Sequence, residues 1–216
     1  MSVEPASVRL NRLLGQSGLA PLDQPTGERF AQYLALFLRW NARMNLSSVR
    51  DEEGILSRHF VESIACARTL PAAISTLLDY GSGAGLPGIP IALCRPEISV
   101  TLAESQSKKA AFLQEAVRTL GLKAIVHAGR AELLTHSFDC VTLRAVDRMT
   151  EAVDEAARLV APSGWLALMT MRADLPGLQA AAGAHFSWRE AVSLPGSEDR
   201  LLALGAKDVS SPASPG

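Results

Sequence analysis

Cysteine is scarce in this chain of 216 residues: Cys66, Cys94 and Cys140 are far apart and odd in number. They read as small buried hydrophobes in a reducing compartment, not as a disulfide set. No apolar run reaches the ~18 residues of a membrane span, and no charged-then-apolar leader opens the chain, so a cytoplasmic protein without membrane attachment is expected. Excess charge is missing too. The net charge is −1, which by itself points to neither nucleic acid nor membrane. Lysine is nearly absent, 4 against 17 arginines; arginine suits planar, bidentate phosphate contacts, although a GC-rich genome produces the same skew. The four histidines (His59, His127, His136, His185) lack ligand spacing, so no metal is expected.

The hydrophobic fraction is 48 %, ordinary for a folded chain, and the length suits one α/β domain with a small extension. Residues 4 to 70 read helical. Phe30, Leu34, Phe37, Leu38 and Met44 lie near helical spacing, with Arg39 and Arg43 on another face, and Pro25 suits a first helical turn. A second run covers 56–70, and Pro71 marks a boundary. Then the pattern changes. Strands are expected at 77–79, 99–103, 125–127, 140–143 and 165–169, and helices at 87–94, 107–120, 151–160 and 175–182, the alternation of a parallel sheet with right-handed crossovers. Residues 186–194 and 200–206 read as an antiparallel hairpin. The expected division is a helical extension 1–70, a Rossmann-like domain 71–208 and a disordered tail 209–216.

The most informative stretch is Leu77-Leu-Asp-Tyr-Gly-Ser-Gly-Ala-Gly-Leu-Pro-Gly-Ile-Pro90. So many glycines are not expected from core packing. Placed between a strand and a helix, they let a ligand touch the main chain near a helix N-terminus. Pro87 and Pro90 fit if the helix starts near 87. Gly83-Ala-Gly-Leu-Pro-Gly88 matches the dinucleotide text G-x-G-x-x-G, while Gly81-Ser-Gly-Ala-Gly85 matches the G-x-G-x-G common among S-adenosylmethionine enzymes. Glu104, ending the next strand, can accept both hydroxyls of a ribose, as either ligand requires. The terminal hairpin, typical of class I methyltransferase sheets, and Gly129-Arg-Ala-Glu132, where a backbone N–H and a carboxylate could read adenine, favour S-adenosylmethionine over NAD.

Taken together, Trp40-Asn-Ala-Arg-Met-Asn-Leu46, Arg58-His-Phe-Val-Glu-Ser63, the glycine run, Glu104-Ser-Gln-Ser-Lys-Lys109, Gly129–Glu132, Phe138-Asp139 and Arg144-Ala145 resemble the bacterial small-subunit ribosomal RNA guanine-N7 methyltransferases, the glucose-inhibited division protein B family, over roughly residues 28 to 206. The resemblance implies a class I S-adenosylmethionine-dependent methyltransferase sheet, mostly parallel with a C-terminal antiparallel hairpin, and methyl transfer to N7 of a guanine in 16S rRNA. It implies that Gly81, Gly83 and Leu86 contact the cofactor from the loop, Glu104 holds its ribose, Ala131 and Glu132 flank adenine, and Arg144 closes the pocket near the amino-acid end. The chain departs from the family at Glu62, usually aspartate, at Val146, usually aromatic, and at Met169-Thr170, where a lysine and a glycine are common. The rivals are a methyltransferase with another substrate, an NAD-dependent oxidoreductase and a non-enzymatic RNA-binding module.

N7 of guanine carries a lone pair and no proton, so no general base is needed; alignment does most of the work. Arginine gripping O6 and N7 would mask the nucleophile, so the target should be an unpaired base held by its Watson–Crick edge or by stacking. Residues 1–70 carry net +1 and the rest net −2, too small an asymmetry to locate RNA. Arg39, Arg43, Arg58 and His59 are the substrate-binding candidates, Arg50 a further basic one, and 16S rRNA or the small ribosomal subunit the expected partner of a monomer.

Overall fold

Alternating apolar residues that point both ways along each central strand call for cover on both faces, and that is how the chain is layered. The computed structural model describes residues 4–209; the expected tail, Val209 apart, lies outside them. Eight strands form one sheet in the order β3-β2-β1-β4-β5-β8-β6, with β7 beside β8. The strands are β1 Thr76–Tyr80, β2 Ser99–Ala103, β3 Ile125–His127, β4 Phe138–Arg144, β5 Val160–Met171, β6 Phe186–Trp188, β7 Val192–Ser193 and β8 Arg200–Lys207. β1 to β5 run parallel to one another, and β8 is antiparallel to β5, β6 and β7. The mostly parallel sheet with its antiparallel C-terminal end is as the sequence implied. The strand order reverses between β1 and β4, and in open α/β sheets that switch point is where ligands bind.

The helices are α1 Ala6–Gln16, α2 Gln24–Asn41, α3 Glu52–Gly54, α4 Glu62–Thr69, α5 Gly88–Cys94, α6 Ser107–Thr119, α7 Met149–Arg158 and α8 Leu175–Ala182. Between α3 and α4 the chain winds as a π-helix, Ile55–Val61. Leu77, Leu102, Cys140 and Ala167 face one core, shared with α2, α5, α6 and the N-terminal aromatics Phe30, Phe37 and Phe60. Leu78, Val141, Leu143 and Leu168 face the other, under α7 and α8. One hydrophobic cluster thus joins the first 70 residues to the sheet.

Several boundaries differ from expectation. α2 ends at Asn41, short of Met44, because the buried Asn41 side chain turns the chain: its Oδ1 accepts from Ser47 N (3.0 Å) and its Nδ2 donates to Val49 O (3.1 Å). The helix expected to reach Val160 stops at Arg158, and β5 begins at Val160, running through Pro162-Ser163-Gly164 with Ser163 at φ 61. The first arm of the hairpin is broken into β6 and β7, both paired to β8.

A cavity at the switch point

The C-terminal ends of β1 and β4 open into a cavity of about 710 Å³, within the usual size of small-molecule sites. The wall that follows β1 and β2 is made of backbone held from behind. Asp79, 1 % exposed, accepts at Oδ1 from the Thr142 hydroxyl (3.0 Å) and at Oδ2 from the Gly88 amide (3.1 Å). Burial pushes its carboxyl up to about 6 despite these donors. Ser82 N donates to Ala103 O (2.9 Å), tying the loop to β2. Glu104, 6 % exposed, accepts from Gly83 N at Oε2 (2.9 Å) and from Gln106 N at Oε1 (2.7 Å). A carboxylate oxygen has two lone-pair sites, so each keeps one for a diol.

The glycines divide by purpose, and the expectation that packing does not ask for them is corrected for two. A Cβ at Gly88 would lie 2.3 Å from Leu102 Cδ2 and 2.6 Å from Asp79 Oδ2, and one at Gly85, already at φ 82, would lie 2.4 Å from Ile89 Cδ1. These two let α5 sit down on the sheet. At Gly83 a Cβ would meet nothing closer than Gly81 O at 3.8 Å, and the residue lines the cavity; this bare backbone faces a ligand.

The adenine-side expectation falls on Ala131 and Glu132, in a short 3-10 turn, Ala131–Leu133. Glu132 accepts from Arg130 Nη1 (3.1 Å) and from the Tyr80 hydroxyl (3.3 Å), and Tyr80 also donates to Glu155. Burial and those two carboxylates hold the phenol well above its ordinary range.

The opposite wall is an ion cluster drawn from three distant segments. Glu62, 1 % exposed, accepts from Arg144 Nη2 at 2.8 Å and Arg200 Nε at 2.7 Å. Arg144 Nη1 donates to Ser63 Oγ (3.1 Å), and Nη2 also donates to the Arg58 carbonyl (2.7 Å) in the π-helical turn. His59 Nδ1 lies 3.3 Å from Arg144 Nη2 and its Nε2 lies 2.7 Å from Ser47 Oγ. Burial, with the Arg144 and Arg58 charges, lowers this histidine to about 4, so it is neutral at pH 7 and links Arg144 to the Leu46–Val49 segment of the rim.

The structure therefore brings all seven cofactor candidates to one cavity: Gly81, Gly83, Leu86, Glu104, Ala131, Glu132 and Arg144, together with Arg58 and His59. Arg39 and Arg43 are not brought there; Arg39 pairs with Glu115, which also takes the Trp40 indole N–H (2.9 Å), and Arg43 is exposed in the turn after α2. Sequence reasoning missed Arg200 and the bridging by Glu62, flagging Glu62 only as a departure from the family. Met169, expected as a departure from the family, lines the wall and leaves it apolar there. Among the described residues no group of His, Cys, Asp and Glu could hold a metal ion, and no helix is long and apolar enough to cross a membrane.

Comparison with known proteins gives the same direction. A family model described as rRNA small subunit methyltransferase G matches residues 26–187. A protein of Roseiflexus sp. (strain RS-1) named ribosomal RNA small subunit methyltransferase G is 38 % identical over 200 residues, covering 86 % of this chain and 85 % of its own. One of the same name from Xanthomonas euvesicatoria pv. vesicatoria is 40 % identical over 164 residues, 74 % of this chain and 76 % of its own. Among solved structures, a Pyrococcus furiosus methyltransferase superposes with a TM-score of 0.59 at 14 % identity, covering 84 % of this chain and 98 % of its own. A SAM-dependent methyltransferase from Aquifex aeolicus gives 0.55 at 16 % identity, covering 71 % and 92 %.

Proposed function

The chain belongs to the rRNA small subunit methyltransferase G family, and from that premise we propose that it methylates N7 of a guanine in 16S rRNA, with S-adenosylmethionine as methyl donor, in the cavity at the ends of β1 and β4. The observation that carries the cofactor part of this reading is Glu104: a nearly buried carboxylate pinned by two backbone amides beside the bare backbone of Gly83. That is the donor-poor, acceptor-rich corner a ribose diol requires.

S-adenosylmethionine supplies an electrophilic methyl on a sulfonium. The rest is done by the chain. Gly81, Gly83 and Leu86 offer backbone and apolar contact from the loop. Ala131 and Glu132 bound the adenine side. Arg144 orders the amino-acid end by holding the Arg58–Ser63 segment against β4. No side chain needs to remove a proton, because N7 has none, and the neutral His59 is committed to Ser47 and Arg144. Proximity and orientation carry the rate. Asp147 and Glu151, which line the cavity, place negative charge where the methylated purine becomes cationic. Arg58, at the cavity, is the best placed of the expected RNA contacts.

The protein acts as a monomer in the cytoplasm on an unpaired base, since N7 in an RNA helix lies in a deep, narrow groove. Purified protein, S-adenosylmethionine and undermethylated small subunits or rRNA should create a site that borohydride and aniline cleave, because N7 methylation labilises the glycosidic bond. A methyl group found on ribose, carbon or an exocyclic amine overturns the reading.

A further inference from the structure

The glycine loop is fixed from two sides. Glu104 holds Gly83 from β2. On the other side, Tyr33 of α2 reaches across from the helical layer, and its hydroxyl donates to the carbonyl of Ala84 at 2.5 Å. Tyr33 is fully buried, and Ala84 belongs to the cavity lining. The phenol is itself locked: its ring stacks on Phe60 with centroids 4.9 Å apart and planes 4° apart, and meets Phe37 edge-on at 6.2 Å. The hydroxyl of a ring held this tightly has little freedom to follow a loop that moves.

We propose that Tyr33 is a positioning residue for the cofactor loop. By holding the Ala84 carbonyl back toward α2, it keeps the peptide groups of Gly83 and Ala84 in the one arrangement that leaves Gly83 bare to the cavity. It does not touch the ligand; it acts through the loop. The inference rests on the cofactor reading of the cavity given above. Its physical basis is the cost of leaving a buried carbonyl unpaired. Without the hydroxyl the loop gains by turning that carbonyl toward water or another donor. The binding-competent fraction then falls, and apparent affinity falls by the same factor.

Isothermal titration with S-adenosylhomocysteine reads this directly, in wild type, in Tyr33→Phe and in Phe60→Leu. Tyr33→Phe keeps the ring and its stacking, so the protein folds, and it should bind on the order of ten-fold more weakly. KM for S-adenosylmethionine should rise by a similar factor while kcat at saturation holds. Phe60→Leu removes the stacked ring but keeps the hydroxyl; it should lower the melting temperature more than Tyr33→Phe does while weakening binding less, because Phe37 still holds the ring edge and the bond to Ala84 can still form. Hydrogen exchange at the amides of Gly83 to Leu86 should speed up in Tyr33→Phe, with the β1 amides unchanged. Equal affinity and equal loop exchange in wild type and Tyr33→Phe overturn the proposal, as does loss of affinity only in proportion to loss of melting temperature across both variants. If wild type itself fails to bind S-adenosylhomocysteine, it is the cofactor reading that falls.

Discussion

The two walls of the cavity are built on different principles. The wall after β1 and β2 is backbone, shaped by glycines and pinned by amide-to-carboxylate bonds within 21 residues of sequence. The wall opposite is a cluster of charged side chains in which Glu62 meets Arg144 and Arg200, 82 and 138 residues away. A backbone wall suits a ligand that never varies, because few of its contacts depend on a rotamer. A side-chain wall suits a large substrate, because it can be retuned by single replacements.

Breaking the ion cluster should have the largest effect. Glu62→Ala leaves two guanidinium groups facing each other without a counter-charge, which costs about 3–5 kcal/mol, or roughly 10 °C in melting temperature for a chain of this size. Glu62→Asp should fall between, since a shorter carboxylate cannot span both arginines. RNA turnover should suffer more than S-adenosylhomocysteine affinity. Equal losses would mean that the walls are not independent. The backbone wall is tested by Glu104→Ala, which should weaken S-adenosylhomocysteine binding by about 10- to 150-fold, the equivalent of ~1.5–3 kcal/mol for hydrogen bonds to a charged acceptor, with a smaller change in melting temperature. An unchanged dissociation constant would remove the ribose assignment.

Acid separates the walls in a third way. His59 titrates near 4 instead of 6.5, so below pH 6.5 the unfolded chain binds a proton that the folded one refuses, and stability is lost as pH falls toward 4. Asp79 titrates near 6 instead of 3.8, so between those values the folded chain keeps a proton that the unfolded one has released, and stability is lost as pH rises through that window. The two trends oppose each other between about pH 4 and 6, on the order of 2 kcal/mol each. Urea denaturation across this range should show a steeper acid loss in Asp79→Asn than in wild type, and in His59→Gln a stability that declines toward pH 6. Parallel curves for all three proteins would show that neither site is buried as described. The smallest effect is expected from Arg39→Ala: a surface pair with Glu115, about 0.5 kcal/mol or less, and unchanged methylation measured on small subunits.

The same division governs what could be read from the chain. Asp79 to Pro90 and Glu104 were legible because a strand–loop–helix turn that presents bare backbone needs particular residues at particular spacings. The parallel sheet was legible from alternation alone. The cluster around Glu62 was not, because nothing local requires an acid there to meet arginines far along the chain. Nor was the π winding at Ile55–Val61, which leaves composition unchanged while placing Arg58 and His59 at the cavity. The shared helical face expected of Arg39 and Arg43 was not legible either, because Asn41, whose side chain captures Ser47 and Val49, ends the helix between them.

The shared hydrophobic cluster has a consequence for synthesis. Phe30, Phe37 and Phe60 leave the ribosome before any residue of β1, β2 or α6 that will cover them. The nascent helical layer is therefore an amphipathic intermediate with an uncovered face until more than a hundred residues have emerged, the kind of species that draws chaperones. A shortened gene lacking this layer would yield an insoluble sheet, not a minimal enzyme, and slowing translation after residue 70 should raise the aggregated fraction of the full-length product.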